Sequence, residues 1–287
     1  MRVFVTGASG WIGSAVVPEL INAGHQVTGL ARSDASAAAL AAAGAQVQRG
    51  TLDEAGVLRA AAAESDGVIH LAFKHDIAFS GNMQGAAEAD RRAVETLGEA
   101  LAGSGRPLVI ASPFAPASGG PQAREATARF TVGLAARNVR SSVVRLPPTV
   151  HGEGDKWFMA FLVGIARNKG VSGYIGDGSN RWPAVHRLDA AHLFRLALEH
   201  APAGSVLHAV ADEGVPIRSI AEVIGRHLDI PVVSISAEDA AGHFGWLAGV
   251  LAIDGPTSST LTRELVGWNP VQPGLIDDLE KGHYFRN

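Results

Sequence analysis

Short hydrophobic runs rich in valine and isoleucine recur through the first half of the chain, and longer stretches rich in alanine and leucine separate them. Runs of this length predict strands that are buried on both faces, and the stretches between them predict crossover helices. The predicted strands are residues 2–6, 26–31, 46–49, 67–71, 107–111 and 141–145. The pattern therefore predicts an α/β fold built on a doubly wound parallel sheet.

This rhythm changes after Arg145. Two prolines, Pro147 and Pro148, stop the sixth strand, and glycine, proline and tryptophan become frequent as far as Pro183. We expect one large domain at residues 1–146 and a smaller lobe formed mainly by residues 147–287. A helical stretch and an apolar run indicate that about residues 186–210 return to the large domain. Helical patterns at 217–228, 237–247 and 257–265 are expected to complete the smaller lobe.

Composition excludes several classes of partner. The formal charge of -4 provides no basic field for nucleic acid. The chain has no cysteine, so it has neither disulfides nor a thiolate metal site. It begins with a strand-like segment, and nowhere do 18 uncharged apolar residues follow one another. We expect a cytoplasmic protein that does not enter a membrane and whose partner is a small molecule; a homodimer is compatible with the sequence.

A glycine-rich turn, Thr6-Gly-Ala-Ser-Gly-Trp-Ile-Gly13, joins the first predicted strand to a predicted helix at 11–23. In such a turn the first glycine permits a tight bend, the second lets the backbone approach a pyrophosphate, and the third lets the helix pack on the strand. The amides at the helix N-terminus then face the phosphates. An ordinary strand-to-helix turn is the alternative, which the position after the first strand disfavours. The residues expected to bind a dinucleotide are Gly7, Ser9, Gly10, Trp11, Ile12 and Gly13.

The end of the second predicted strand indicates which dinucleotide is bound. A carboxylate there binds the ribose 2′-hydroxyl of NAD, whereas a cation accommodates the 2′-phosphate of NADP. Arg32 can pair with the phosphate through its fork of donors, and Ser33 adds a hydroxyl. Asp34 could reach the ribose if the strand ends later, and a solvated arginine is the simpler alternative. We predict NADP(H) as the cofactor.

Six segments, in order along the chain, resemble the short-chain dehydrogenase/reductase superfamily, in its extended or atypical branch related to NAD-dependent epimerase/dehydratases. They are residues 6–13, Arg32-Ser33, Gly50-Thr-Leu-Asp53, His70-Leu-Ala-Phe73, residues 145–152 and residues 176–189. The resemblance implies a Rossmann-type dinucleotide-binding domain followed by a substrate lobe. It also implies cofactor contacts from Leu52 and Asp53 near the adenine, from Leu71, Ala72 and Phe73 along the cofactor, and from Pro147 and Val150 beside the nicotinamide.

The chain departs from this superfamily at the usual proton donor. Members that transfer hydride commonly use a tyrosine and a lysine four residues later, because the cation lowers the pKa of the phenol. The chain has only Tyr174 and Tyr284, and neither is followed by that lysine. An ungapped count back from the strand at 141–145 places Gly120 near the tyrosine position. The same count places Arg124 near the lysine position, where it would contact the cofactor.

Three polar side chains are candidates for the missing proton chemistry. Ser112 ends the fifth strand, where the superfamily places a hydroxyl that hydrogen-bonds the substrate carbonyl. His75 follows the fourth strand on the carboxyl side, where open α/β sheets bind ligands, and a histidine titrates near neutrality. His151 follows the two prolines and is a candidate to face the nicotinamide. The alternatives are a serine bonded to local backbone, a solvated polar loop and a packed histidine.

No metal is expected, because the sequence contains neither HExxH spacing nor a carboxylate cluster. The charges of Asp90, Arg91 and Arg92 are expected to form the exposed beginning of a helix.

The sequence favours an NADP(H)-dependent oxidoreductase that reduces a small carbonyl or imine compound by hydride transfer. A sugar-type epimerase or dehydratase is the second hypothesis, and the missing tyrosine weakens it. A regulator that senses the NADP redox state is the third, because loss of the catalytic pair would be harmless to it.

Overall fold

The computed structural model describes residues 1–114 and 122–286. Their strands, in chain order, are β1 (Arg2–Thr6), β2 (Gln26–Ala31), β3 (Gln46–Arg49), β4 (Gly67–His70), β5 (Pro107–Pro113), β6 (Arg140–Leu146), β7 (Thr149–His151), β8 (Ser172–Ile175), β9 (Arg181–His186), β10 (Ser205–His208), β11 (Asp212–Pro216) and β12 (Val232–Ile235).

The α-helices of these residues are α1 (Gly13–Asn22), α2 (Asp34–Ala42), α3 (Ala55–Glu64), α4 (His75–Phe79), α5 (Met83–Leu101), α6 (Gln122–Gly133), α7 (Phe158–Lys169), α8 (Arg187–His200), α9 (Ile217–Leu228), α10 (Ala240–Phe244), α11 (Ala248–Leu251), α12 (Thr260–Val266) and α13 (Leu275–Glu280). Short 3₁₀-helices lie at Leu134–Arg137, Gly245–Leu247 and His283–Phe285.

The described chain divides into two compact units, and each consists of several segments. Unit 1 comprises Met1–Arg145, Ala190–Ala209 and Thr260–Asn269. Unit 2 comprises Leu146–Asp189, Val210–Ser259 and Pro270–Asn287.

Unit 1 is built on a parallel sheet whose strand order, in the described residues, is β10-β6-β5-β4-β1-β2-β3. β1 pairs with β2 on one side and with β4 on the other. The direction of winding therefore reverses at β1, and in open α/β sheets the crevice at the carboxyl ends of such strands binds ligands. This sheet confirms the doubly wound fold that the hydrophobic pattern predicts.

Helices cover the sheet because their apolar residues recur at helical spacing. In α5 the residues Val94, Leu97 and Leu101 are fully buried and pack with Phe4 and Leu108 of the sheet. This spacing buries one face of the helix against the strands.

The helix α12 belongs to unit 1, whereas the helical pattern at 257–265 places it in the smaller lobe. The backbone amide of His208, in the outermost strand β10, donates a hydrogen bond to Thr262 Oγ1 at 2.7 Å. A helical pattern specifies which face of a helix is buried, but it does not specify which core buries it.

Unit 2 contains two small sheets in its described residues. β9 pairs antiparallel with β11 and parallel with β7, and β8 pairs parallel with β12. Its core is a separate cluster that includes Met159, Trp182, Ile220 and Leu247.

Candidate functional site

The glycine-rich turn connects β1 to α1 where the winding of the sheet reverses. Gly7 has a φ of +67°, and a Cβ there would lie 2.6 Å from the backbone nitrogen of Ala72. A Cβ on Gly13 would lie only 2.1 Å from the carbonyl oxygen of Gly7. Both glycines are therefore required by the close approach of backbone to backbone.

Gly10 differs from its two neighbours in the motif. A Cβ placed there would meet, among the described residues, only the carbonyl oxygen of Gly7, at 3.2 Å. Ser9 and Gly10 are exposed, and Trp11 and Ile12 are partly exposed. Ile12, the N-cap of α1, has no polar side-chain atom to satisfy the first amides of the helix. An open backbone surface at a helix N-terminus suits a pyrophosphate.

A buried network of hydrogen-bonded polar side chains links the end of β1, just before this turn, to β4 and α5. Thr6 Oγ1 and His70 Nδ1 share a hydrogen bond of 2.8 Å, and His70 Nε2 donates to Asp90 Oδ1 at 3.2 Å. All three residues are buried. Because Leu71 N also donates to the carbonyl oxygen of Thr6 at 3.1 Å, the network joins the turn to the end of β4.

The expectation that Asp90 lies at the exposed beginning of a helix is wrong. α5 begins at Met83, and Asp90 lies inside it among buried residues. A buried carboxylate needs a partner, and His70 provides one. The signal in the sequence was the position of Asp90 four residues before Val94, on the apolar face of the helix.

Three ion pairs surround the carboxyl ends of β2, β3 and β4. Arg32 Nη1 lies 3.5 Å from Asp76 Oδ2, and Lys74 Nζ lies 2.6 Å from Asp53 Oδ2. The third pair joins Arg49 to Asp34. Backbone hydrogen bonding to Ile77 and the charge of Arg32 lower the pKa of Asp76. This edge of unit 1 therefore carries three cations, each beside a carboxylate.

Ser33 caps the N-terminus of α2. Its Oγ accepts a hydrogen bond from Ser36 N at 3.2 Å, and the Ser36 hydroxyl lies 3.0 Å from it. The capping box stabilises the first turn of α2. The Ser33 hydroxyl is thus already engaged at the position where we predict a phosphate contact.

Ser112 is buried at the end of β5 and is held by an arginine. Arg145 Nη1 donates to Ser112 Oγ at 3.0 Å and to the Pro113 carbonyl at 3.2 Å, and its Nη2 donates to Glu125 Oε2 at 2.6 Å. Because Ser112 Oγ accepts from Arg145, its own proton remains available for donation. Sequence reasoning identified Ser112 but missed Arg145 as its partner.

His75 lies in a row of rings beside Arg124. The Arg124 guanidinium lies 4.1 Å from the centre of the Phe73 ring, Phe73 meets His75 edge-on at 5.1 Å, and His75 stacks on Phe79 at 5.8 Å. Arg124 Nη2 also donates to the Ala111 carbonyl at 3.3 Å. Burial and the charge of Arg124 lower the pKa of His75. Gly120, the predicted tyrosine position, lies outside the described residues.

The remaining predicted cofactor contacts of unit 1 line the same edge of the sheet. Leu71, Ala72 and Leu52 are partly exposed. Leu52 packs on the core beneath β2 and β4. The structure thus brings the predicted residues of unit 1 to the carboxyl ends of the strands, while their contacts with cofactor stay predictions.

His151 lies in the interior of unit 2. Its Nδ1 donates to Asp278 Oδ2 at 2.9 Å, and its ring meets that of His186 edge-on at 5.4 Å. Both His151 and Asp278 are buried. In the same unit Pro147 is buried and Val150 is partly exposed. Their predicted places beside the nicotinamide stay predictions.

The two tyrosines of the chain both belong to unit 2. Tyr284 donates to Asp155 Oδ2 at 3.1 Å and accepts from Gly152 N at 3.1 Å. Burial and the charge of Asp155 raise the pKa of Tyr284, so its phenol holds its proton at neutral pH. Tyr174 lies in β8, with the guanidinium of Arg218 at 5.5 Å from its ring centre.

The Asp278–His151 pair predicts a pH-dependent stability. Burial alone would raise the pKa of Asp278, but the hydrogen bond and charge of His151 lower it below its ordinary value. The ionised carboxylate therefore stabilises the folded chain at neutral pH, and this contribution is lost as the pH falls through the lowered pKa. Asp278→Asn should reduce the free energy of unfolding by about 1–3 kcal/mol at pH 7, and by less at acidic pH.

Urea unfolding at pH 7 and at pH values below about 4 measures this difference. Asp277→Asn, which alters the exposed neighbouring carboxylate, is the matched control and should leave stability nearly unchanged. An equal loss in Asp278→Asn at both pH values would contradict the electrostatic role of the pair.

Among residues 1–114 and 122–286, no group of three or more histidine, cysteine, aspartate or glutamate side chains is arranged to hold a metal ion. In the same part of the chain, every helix is too short or too polar to cross a lipid bilayer.

Residues 3–130 match the model of the NAD dependent epimerase/dehydratase family. An uncharacterised protein of Schizosaccharomyces pombe is 49% identical over 298 residues, which cover 99% of this chain and 100% of that protein. The 4-hydroxy-2-methyl-3-oxo-4-farnesyl-3,4-dihydroquinoline-1-oxide ketoreductase of Stigmatella aurantiaca is 26% identical over 85% of this chain and 80% of its own length. The chain belongs to the extended short-chain dehydrogenase/reductase superfamily.

The dTDP-glucose 4,6-dehydratase DesIV of Streptomyces venezuelae, solved with NAD bound, superposes on this structure with a TM-score of 0.72 at 20% sequence identity. The superposition covers 99% of this chain and 96% of the DesIV chain.

Membership of this superfamily confirms the resemblance drawn from the six sequence segments. The general class of this protein is therefore NAD(P)-dependent oxidoreductase. The similarity to DesIV shows the shared fold. Within the superfamily this chain is set apart by its two tyrosines, neither of which has the lysine that usually accompanies the catalytic phenol.

Proposed function

We propose that the chain is an NADP(H)-dependent oxidoreductase that reduces a small carbonyl or imine compound by hydride transfer. The observation that carries the choice of cofactor is Arg32. This arginine directly follows β2, its side chain is 72% exposed, and the strand it follows is adjacent to the strand that carries the glycine-rich turn. An exposed guanidinium at this place suits a phosphate on the ribose better than a free 2′-hydroxyl.

The residues of unit 1 fit a dinucleotide. Gly7 and Gly13 let the turn lie close to β4 and α1, and Gly10 places no side chain in the space through which a pyrophosphate would approach the turn. The bound cofactor would supply the hydride. Ser112, held by Arg145, would donate its proton toward the oxygen or nitrogen of the substrate and so polarise the double bond.

We assign proton delivery to His75 before His151. His75 follows β4 and keeps part of its surface open to solvent while its ring packs against Phe73 and Phe79, whereas His151 is enclosed and paired with Asp278. An imidazole that is open to solvent can exchange protons with water and pass one to a substrate. We assign His151 the task of positioning β7 within unit 2, which under this proposal is the substrate lobe. The ketoreductase activity of the Stigmatella relative supports reduction of a carbonyl. A cytoplasmic location is part of the proposal, since the absence of cysteine is compatible with a reducing compartment.

Activity is tested by following NADPH oxidation with panels of aldehydes, ketones, quinones and imines. Compound-dependent oxidation that requires the protein supports the proposal. A protein that binds NADPH tightly and oxidises it with none of these compounds would instead support the regulator that senses NADP redox state.

Arg32→Ala should weaken NADPH binding selectively. Loss of charge-assisted hydrogen bonds to the 2′-phosphate costs about 1.5–3 kcal/mol, which raises the Kd for NADPH roughly tenfold to a hundredfold. The Kd for NADH should change by less than about threefold, because NADH has no 2′-phosphate. Titration of both reduced cofactors by fluorescence measures the two constants.

Arg59→Ala is the matched control, because Arg59 is an arginine of α3 with a 55% exposed side chain that is also paired with a carboxylate. It should leave both constants unchanged. Equal affinity of the unaltered protein for NADPH and NADH, or an equal loss for both in Arg32→Ala, would refute the NADP(H) preference.

A further inference from the structure

Arg49 occupies a place in the sheet next to that of Arg32. In the pairing of β2 with β3, Ala31 lies opposite Arg49, and the amide of Gly50 donates to the Ala31 carbonyl at 3.2 Å. Arg32 is the next residue after Ala31. Two arginines therefore leave adjacent parallel strands at their carboxyl ends, within one residue of the same level.

Each of the two arginines lies beside a carboxylate. Arg49 pairs with Asp34, and Arg32 lies 3.5 Å from Asp76. The Arg49 side chain is 53% exposed and that of Asp34 is 98% exposed. Ion pairs exposed to this extent contribute little in water, because solvent and salt screen them. A phosphate that binds one of these arginines therefore replaces a carboxylate that interacts with it only weakly.

Arg32 alone does not provide enough donors for the phosphate. Ser33 Oγ accepts the Ser36 amide and lies within hydrogen-bond distance of the Ser36 hydroxyl, so Ser33 can add at most its own hydroxyl proton. A ribose 2′-phosphate has three outer oxygens and about two negative charges, and one guanidinium fork satisfies only part of it.

The pair with Asp34 has a second consequence. A carboxylate close after β2 is the group that would accept a hydrogen bond from the 2′-hydroxyl of NAD. Where Arg49 pairs with Asp34, the guanidinium partly offsets the negative charge of that carboxylate and competes with a ribose hydroxyl for its oxygens. Arg49 thus opposes NAD binding through Asp34 and is placed to bind the phosphate that only NADP carries.

We propose that Arg49 is a second specificity-determining residue for the 2′-phosphate, and that it exchanges Asp34 for the phosphate when NADP(H) binds. This inference rests on the proposed NADP(H) preference. Under this proposal, Arg32 and Arg49 both bind the phosphate from two neighbouring strands. Asp34 pairs with Arg49 before the phosphate binds.

The test compares Arg49→Ala, Arg49→Lys and the control Arg59→Ala. Kd values are measured for NADPH and NADH, and for the fragments adenosine 2′,5′-bisphosphate and 5′-AMP, which differ only in the 2′-phosphate. Arg49→Ala should raise the Kd for NADPH and for the bisphosphate about fivefold to twentyfold. The Kd for NADH and for 5′-AMP should stay the same or fall, because Asp34 is released. Arg49→Lys, which keeps the charge and loses the fork, should lie between.

Asp34→Asn tests the exchange itself. Removing the competing carboxylate should lower the Kd for the bisphosphate about twofold to fivefold and leave 5′-AMP unaffected. A rise in the Kd for the bisphosphate would contradict the exchange, because it would mean that Asp34 assists the phosphate.

The outcomes separate this inference from the proposed function. If Arg32→Ala weakens NADPH selectively while Arg49→Ala resembles Arg59→Ala, the cofactor preference stands and the role of Arg49 is refuted. If Arg49→Ala weakens both members of each pair equally, Arg49 merely supports the fold of this edge, and the inference is again refuted. If neither arginine matters, both the preference and the inference fail.

Discussion

Gly10→Val is expected to abolish binding of NADPH and NADH while the protein remains folded. The carbon atoms added at Gly10 meet little of the described protein, with only the Gly7 carbonyl within 4 Å of the Cβ position, at 3.2 Å. They would instead occupy the space in which the pyrophosphate approaches the backbone. Loss of two or three charge-assisted hydrogen bonds, each contributing about 1.5–3 kcal/mol, raises both Kd values by at least about a hundredfold.

Gly13→Ala is the contrasting variant from the same turn. Its single added carbon would lie 2.1 Å from the Gly7 carbonyl and 2.7 Å from the Ala8 Cα. Backbone must move to admit it, so the free energy of unfolding should fall by about 1–3 kcal/mol or more. Urea unfolding and cofactor titration of both variants separate the two effects. Unchanged cofactor affinity in Gly10→Val would contradict the proposed pyrophosphate site.

Ser112→Ala is expected to lower kcat for carbonyl reduction by roughly 10²- to 10³-fold and to leave the Kd for NADPH unchanged. Arg145 donates a hydrogen bond to the Ser112 hydroxyl oxygen, which holds that oxygen in place and leaves its proton for donation to the substrate. Removing one such donor to a developing oxyanion has an effect of this size. Single-turnover rates at saturating NADPH measure it. Full activity in Ser112→Ala would remove this serine from the proposed mechanism.

His75→Ala belongs to the same prediction and should lower turnover about 10²- to 10⁴-fold if proton transfer limits the rate. His151→Ala tests the enclosed histidine, and activity should depend on at least one of the two. Tyr174→Phe and Tyr284→Phe should retain activity. Collapse in Tyr174→Phe alone would move the acid into unit 2.

The pH profile distinguishes proton delivery by His75 from a purely structural effect. Burial and the charge of Arg124 lower the pKa of His75 below its ordinary value, so the ring is mostly neutral at pH 7. Reduction should therefore be faster at pH 6 than at pH 8. His75→Gln should lose this dependence.

The sheet of unit 1 could be predicted because the hydrophobic pattern within each of its strands is a sufficient signal. β1 and β2 are runs of apolar residues bounded by polar or turn residues, and the predicted and observed bounds agree. The strands of unit 2 carry no such signal. β9 contains Pro183 and β11 ends at Pro216, and each pairs with a segment far away or opposite in direction. Their formation depends on tertiary pairing, which periodicity does not encode.

Only part of the candidate site could be predicted from the sequence. The roles of the glycine-rich turn and of Arg32 depend on where they stand relative to the ends of β1 and β2, and the local sequence indicates those positions. The partners of the site residues depend on register and on contacts between distant elements. Arg145 reaches Ser112 across 33 residues and His70 reaches Asp90 across 20, and neither separation follows from a local pattern.

The discontinuous course of unit 1 has a consequence for the order in which the protein is made. Residues 1–145 are synthesised first, and before β10 is made β6 is the edge strand on that side of the sheet. Its free edge would expose a row of unpaired backbone groups beside the apolar residues Val143 and Val144 until β10 emerges, some sixty residues later. The first segment of unit 2 is synthesised in that interval. The nascent chain therefore carries an aggregation-prone edge until β10 has been synthesised, and a product truncated soon after Arg145 would keep that edge permanently.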